Sequence, residues 1–207
     1  MKNTRTSLLT LSFSAFFLCL ALNACAQESN SDAAIVEDEL SQIKKIAAEK
    51  YPNLSPAEAA ATVAEERNNA RMSKHSVQNQ QILEAVGFST FYRANTLARS
   101  SYCSKAGVDI SPFVAAFQKE HEIELSQSDK IFRDSGTDFD KDWVALRPSA
   151  EAWANNDMEQ LASQRGTDAS GACQLFVEQP GEVAKLLNYS GTKPDEREVL
   201  LSYSGQP

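Results

Sequence analysis

Alternating aspartates are the residues of this chain whose types and spacing come closest to a metal site. Asp138, Asp140 and Asp142 are spaced as at the start of an EF-hand calcium loop. That loop also needs a glycine at its sixth position and a glutamate at its twelfth, where this chain has Trp143 and Ser149. We therefore expect the aspartates to cap the helix that contains Trp143, because the helix dipole favours anions at its N-terminus.

A histidine surrounded by carboxylates lies in the segment 120–124. His121-Glu122 matches the start of the zinc-protease motif, which needs a second histidine four residues later, where Leu125 stands. His75 is the only other histidine and belongs to a separate, very polar segment. We expect His121 to be solvated or half-buried rather than a metal ligand, and we assign no metal site.

Two alternative functions stay open, a hydrolase and a metal-binding protein. A hydrolase could use Glu120, Glu122 and Glu124 as acid and base, because the separation of carboxylates in space cannot be read from sequence. A metal-binding protein could use His75 and His121 if their helices met. The sequence has no nucleophile elbow and no phosphate-binding glycine loop, so it assigns no catalytic residue and no cofactor.

Apolar residues at helical spacing predict that helices position these groups. Ser55-Pro56 followed by Glu58 predicts a capping box at the start of a long helix, which is polar as far as Gln81. Gly87 either divides this helix into two or only permits close packing against it. The fold predicted is all-α, a bundle of five to seven helices. The expected segments are 33–51, 56–107, 111–136, a short turn at 143–146 stopped near Pro148, 148–165, 169–177 and 182–188.

The aromatic residues predict where the core lies. Nearly all of those beyond the N-terminal apolar run fall between Phe88 and Tyr189, and aromatic side chains dominate core energetics. We expect one helical domain, 33–190, with aromatic-poor N-terminal helices at 33–86 and the core at 87–190. Residues 191–207 are expected to form a loop and a C-terminal tail.

Two cysteines remain in the body of the chain, Cys103 and Cys173. Neither belongs to a Cys-x-x-Cys motif, which argues against a redox-active thiol or a metal pair. An exported chain meets an oxidising compartment, so we predict a disulfide between them.

The N-terminal segment predicts that the chain is exported. Residues 1–26 have a basic start, a short apolar run from Leu8 to Leu22, and small residues at the end, as in a signal peptide. Leu22-Asn23-Ala24-Cys25 resembles the lipobox of bacterial lipoproteins, although Asn23 stands where that family has a small or β-branched residue. The resemblance implies lipidation of Cys25. The alternative is cleavage after Ala26, and in either case 27–32 reads as a tether.

Charge limits the partners. The chain has 20 basic and 28 acidic residues and a net charge of −8. The charged residues of the predicted signal, Lys2 and Arg5, are both basic, so removing the signal makes the net charge more negative. An acidic surface is poorly suited to nucleic acid, so a nucleic-acid role is excluded. We expect a protein of the periplasm or outer membrane of a Gram-negative bacterium that meets the membrane only through a lipid anchor. Its expected role is non-enzymatic, binding a protein or envelope component or serving as a structural element, with the polar helix from Pro56 to Gln81 as its presenting surface.

Overall fold

The computed structural model describes residues 31–205, with side chains described from 41 onward except at 57, 61 and 69. Within this range the chain forms helices and turns and no strand, so the prediction of an all-α fold is confirmed. The predicted signal, Cys25 and residues 27–30 lie outside the described residues. The α-helices are α1 Ser31–Lys50, α2 Pro56–Met72, α3 Val77–Arg93, α4 Arg99–Lys105, α5 Ser111–Glu120, α6 Glu122–Ser135, α7 Phe139–Arg165, α8 Ala169–Glu178, α9 Pro180–Leu186, α10 Tyr189–Thr192 and α11 Pro194–Leu201.

A π-helical turn, Ala94–Ala98, joins α3 to α4 and makes one continuous helical rod from Val77 to Lys105. Gly87 lies inside this rod and does not interrupt it. The described residues are divided among more helical segments than the five to seven expected, because short helices of four to ten residues follow α7.

The predicted single helix from Pro56 to Gln81 is wrong. The chain leaves the helix after Met72 and starts α3 at Val77. Ser76 caps α3, since its hydroxyl accepts the backbone N–H of Asn79 at 3.3 Å. A serine that bonds to nearby backbone competes with helix continuation, which is why the polar stretch breaks at this point.

The predicted stop near Pro148 is also wrong, because α7 runs through this proline to Arg165. Pro148 is exposed, so its missing N–H and its ring face the solvent side of the helix. Trp143 and Trp153 are buried on either side of it and pack against Ala94 and Ala98 of the π turn. The small alanines allow α7 to approach the rod closely, and this packing holds the helix together across the proline.

The C-terminal segment is more ordered than a loop and tail. Residues from Gly191 onward include α11, which packs against α3 and α6. Leu200 is fully buried, and the Gln81 amide donates to the Ser202 hydroxyl at 2.9 Å. Leu200 is the buried residue among the apolar residues 199–201 of α11, and three consecutive apolar residues carry no helical periodicity that could be recognised from sequence alone.

The main apolar core extends from Ala85 to Tyr203, and it contains the predicted disulfide between Cys103 of α4 and Cys173 of α8. Both cysteines are buried and their Cα atoms are 5.6 Å apart. α1 and α2 pack on each other around a separate small cluster that includes Ile43, Ala47 and Val63. The domain boundaries predicted at 33–86, 87–190 and 191–207 stay a prediction.

Within residues 31–205 the structure contains no helix with the length and apolar character needed to cross a bilayer.

Candidate functional site

His121 is buried, not solvated or half-buried as expected. Its Nδ1 donates to the Phe117 carbonyl at 2.8 Å, and its Nε2 accepts the backbone N–H of Tyr189 at 2.9 Å. These two bonds fix one neutral tautomer, because a carbonyl can only accept and an N–H can only donate. Burial lowers the His121 pKa, which keeps the ring neutral. The imidazole is thus a structural bridge with no nitrogen left for a metal.

The three glutamates considered for a hydrolase do not come together. Glu120 and Glu122 are exposed, whereas Glu124 is buried and its carboxylate accepts Arg197 Nε at 2.5 Å. This carboxylate is already engaged by a guanidinium inside the fold and does not face an open cleft together with the other two glutamates. Glu124 therefore ties α6 to α11.

The alternating aspartates behave as helix-start residues. The Asp138 carboxylate accepts the backbone N–H of Lys141 at 3.2 Å and caps α7. Asp140 forms an ion pair with Arg93, whose guanidinium lies 4.7 Å above the Phe139 ring. His75 is exposed in the turn before α3. In the part of the chain that the structure describes, no three His, Cys, Asp or Glu side chains converge on a metal position.

Arg99 is a buried cation that the sequence analysis did not single out. It is 1 % exposed, pairs with Asp157 at 2.6 Å and donates to the Asn95 side-chain oxygen at 3.1 Å. Its guanidinium also lies over the rings of Trp153 and Phe176. These contacts join α4 and the π turn to α7 and α8, so Arg99 is a structural residue of the core.

Glu84 is a second buried charged residue that the sequence analysis missed. It lies on α3 and is 8 % exposed, and no hydrogen bond to its carboxyl group is found among the side chains that the structure describes. Burial, followed by the nearby Glu196, raises the Glu84 pKa to about 7. Burial, followed by the charges of Glu84, Glu196 and Glu124, raises the pKa of Tyr189 well above its ordinary value.

One open groove combines apolar and ionised side chains. It has a volume of about 580 Å³ and lies between α3, α6 and the start of α7, within the size range of ligand sites. Tyr92, Leu125 and Phe132 provide its half-buried apolar surface. The charged groups along it are Arg93, Asp129, Arg133, Asp138 and Asp140.

The base of this groove holds an available hydroxyl group. Ser89 is 7 % exposed and lines the groove, and no hydrogen bond of its hydroxyl is found in the described range. Asp129 and Arg133 stand one helical turn apart on α6, both exposed, and neither forms an ion pair among the described residues. The groove therefore offers a polar contact at its base and two opposite charges at its rim.

A second hollow, of about 650 Å³, lies between the start of α3 and the C-terminal segment. Its lining is Val77, Gln78, Gln81 and Ser202–Gly205, which contains no carboxylate and no basic side chain. It lacks the ionised groups that would orient a ligand, so the groove beside Ser89 is the better candidate site.

The helical spacing of residues around Glu84 could have revealed it as a buried group. Glu84, Phe88, Phe91 and Asn95 follow one another at spacings of four, three and four, and all are buried. A polar residue on an apolar helical stripe is a candidate buried group. No comparable signal identifies Ser89 or Arg133, because a groove between three helices depends on how those helices pack.

Comparisons with protein families, with characterised proteins and with solved structures find no match to this chain.

Proposed function

We propose that the chain is an exported helical protein of the Gram-negative cell envelope that acts by binding a partner rather than by catalysis. The buried disulfide between Cys103 and Cys173 supports export, because structural disulfides form and persist in oxidising compartments. The signal-like residues 1–26 support the same compartment. The exported chain is processed in one of two ways: lipidation of Cys25 tethers it to the membrane, or cleavage after Ala26 releases it into the periplasm.

The groove beside Ser89 is the observation that carries the binding role. It is concave, partly apolar and bordered by ionised groups, which are the properties of a recognition surface. The carboxylate and imidazole that the hydrolase and metal alternatives needed, Glu124 and His121, are bonded within the body of the protein. α2, which the sequence favoured as the presenting surface, buries Ala59, Ala60, Val63 and Ala64 against α1.

Charge indicates what kind of partner fits. The chain carries a net charge of −8, and three of the five charged groups along the groove are aspartates. Arg93 is already engaged by Asp140, which leaves Arg133 as the cation without an ion pair among these five. We therefore propose a protein segment with basic and apolar side chains as the partner, drawn to the site by opposite charge.

Photo-crosslinking in the envelope tests this function. A photoreactive amino acid replaces Arg133 at the groove, and a matched replacement of Lys119 serves as the control, since both are exposed basic residues of helices. We expect the groove position to crosslink one protein that the control position does not. Equal labelling from both positions, or no labelling at Arg133, contradicts the proposed site.

Fractionation tests the anchor separately. Replacing Cys25 with serine is expected to move the chain from the membrane fraction to the soluble periplasmic fraction, because the lipid chains are lost. If both forms are periplasmic, the chain is released after Ala26 instead. If both remain in the cytoplasm, the proposal of export is wrong.

A further inference from the structure

The groove beside Ser89 already holds one arginine against an aromatic ring. The guanidinium of Arg93 lies 4.7 Å from the centroid of the Phe139 ring and forms an ion pair with Asp140. Phe132 stacks on Phe139, with ring centroids 5.4 Å apart and planes inclined by 6°. Phe132 is only half-buried and lines the groove, so part of this aromatic surface is open to a guest side chain.

Two carboxylates along the groove have no ion-pair partner among the described side chains. Asp129 is exposed on α6, and Asp138 is exposed at the start of α7, where it accepts the backbone N–H of Lys141. A guanidinium is a planar fork of N–H donors that bonds to acceptors on two elements at once, whereas an ammonium group is a strongly hydrated point charge. Acceptors from two elements along one groove therefore favour arginine over lysine.

Ser89 adds a polar contact at the base of the groove that the protein itself leaves unused. The residue is 7 % exposed and lines the groove, and no hydrogen bond of its hydroxyl is found in the described range. A nearly buried polar group without a partner is costly, and a hydrogen bond from a guest removes that cost. The hydroxyl oxygen can accept a guanidinium N–H, so Ser89, Asp129 and Asp138 suit the same kind of guest.

We propose that the groove recognises an arginine side chain of the partner segment, with its guanidinium against the Phe132 ring and its N–H groups directed at Asp129 and Asp138. Ser89 accepts from the same guanidinium at the base. The inference rests on the proposed function, because it names the side chain by which the basic partner is recognised. Arg133 stands at the same rim and opposes the guest by like charge, which limits the affinity of the groove for a cation.

NMR titration of the full chain with N-acetyl-argininamide tests the inference. N-acetyl-lysinamide compares the two cations, and N-acetyl-citrullinamide is a neutral control of nearly the same shape as the arginine probe. We expect argininamide to shift the amide signals of Ser89, Asp129 and Phe132 and to bind at least about threefold more tightly than lysinamide, as a surface cation–π contact allows. Citrullinamide should produce no saturable shift, because it carries no charge.

Four variants separate the contribution of the ring from that of the charges. Phe132→Leu keeps an apolar residue and should bring argininamide binding down to the level of lysinamide. Asp138→Asn keeps a helix-capping side chain and should weaken argininamide binding about threefold, the effect of one exposed charge pair. Arg133→Gln should strengthen it by a similar factor, because a repelling charge is removed. Glu122→Gln, an exposed change on α6 outside the groove, should leave it unchanged.

Equal affinities for argininamide and lysinamide would overturn the proposal, as would shifts confined to residues outside the groove or no binding of argininamide at all. The crosslinking experiment at Arg133 keeps this outcome apart from failure of the proposed function. A protein crosslinked from the groove of a chain that does not prefer argininamide would leave the binding function standing and refute arginine recognition. Preference for argininamide without any crosslinked protein would refute the binding function instead.

Discussion

The Nε2 atom of His121 accepts the backbone N–H of Tyr189 at 2.9 Å, across 68 residues of sequence. Its Nδ1 donates to the Phe117 carbonyl at 2.8 Å, so one imidazole joins the end of α5 to the start of α10. The rings of Phe88, Phe91 and Phe117 surround it. The histidine that looked most like a metal ligand in the sequence is therefore part of the packing that docks the C-terminal helices.

His121→Phe is expected to destabilise the protein by about 1–3 kcal/mol, because it leaves the buried Tyr189 N–H without an acceptor. The midpoint and slope of urea unfolding measure the change. His75→Phe is the matched control, and because His75 is exposed it should alter stability by less than about 0.5 kcal/mol. Similar losses in the two variants would show that the His121 bonds contribute nothing specific.

Acid should weaken the same contact. Because burial lowers the His121 pKa, the unfolded chain binds a proton more readily than the folded one as pH falls below 6.5. The stability associated with the neutral ring is therefore lost as pH drops from 6.5 through the lower folded-state pKa. Glu84 changes the stability in the opposite sense over this range, so the test is the difference in unfolding free energy between the wild type and His121→Phe, which should shrink as pH falls from 7 to 5.

Glu84→Gln should stabilise the whole protein at alkaline pH. In the wild type the pKa of Glu84 is raised to about 7, so stability falls as pH rises from 4.5 to 7 and then stays level. Removing the carboxylate should recover up to about 3 kcal/mol at pH 8 and close to nothing at pH 4, where the group is neutral in both states. A benefit of equal size at both pH values would point to packing rather than ionisation.

Two arginines of the helical rod allow buried and exposed ion pairs to be compared. Asp157→Asn removes the partner of Arg99, which is 1 % exposed, and should cost about 3 kcal/mol because a buried cation is left unpaired. Asp140→Asn removes the partner of Arg93 at an exposed carboxylate and should cost less than about 1 kcal/mol. Urea unfolding of both variants checks the order, and a larger loss in Asp140→Asn would contradict it.

The disulfide should make a large contribution to stability. The double variant Cys103→Ser, Cys173→Ser opens a loop of 70 residues, which costs about 4 kcal/mol on the chain-entropy model. Chemical unfolding of the oxidised protein and the double variant measures the difference. Mass spectrometry of the unreduced chain should find the linked peptides, and two free thiols would be incompatible with the pairing.

Local signals in the sequence predicted much of the fold. The Ser55–Glu58 capping box is present, with the Ser55 N–H donating to the Glu58 carboxylate at 3.0 Å, and Gly136 and Gly166 end α6 and α7 in the left-handed region. Each of these depends on a few neighbouring residues. The continuation of α7 through Pro148 depends instead on burial of Trp143 and Trp153, a tertiary contact without a local signature.

The candidate site was harder to predict than the helices. Glu124 and His121 were identified by residue type, but their roles depend on Arg197 and Tyr189, which come from α11 and α10 far along the chain. The groove beside Ser89 requires the packing of α3, α6 and α7 to exist at all. Sequence patterns report one element at a time, so they could not place these three helices around a common opening.

The central claim is that the chain binds a basic partner segment in the groove beside Ser89, and charge reversal in that groove tests it most directly. The protein crosslinked from Arg133 is captured with wild-type chain, with Asp129→Lys and with Glu178→Lys, an exposed change at the end of α8. We predict that Asp129→Lys reduces capture about tenfold or more, whereas Glu178→Lys leaves it unchanged. Unchanged capture by Asp129→Lys, or equal losses in both variants, would contradict the account.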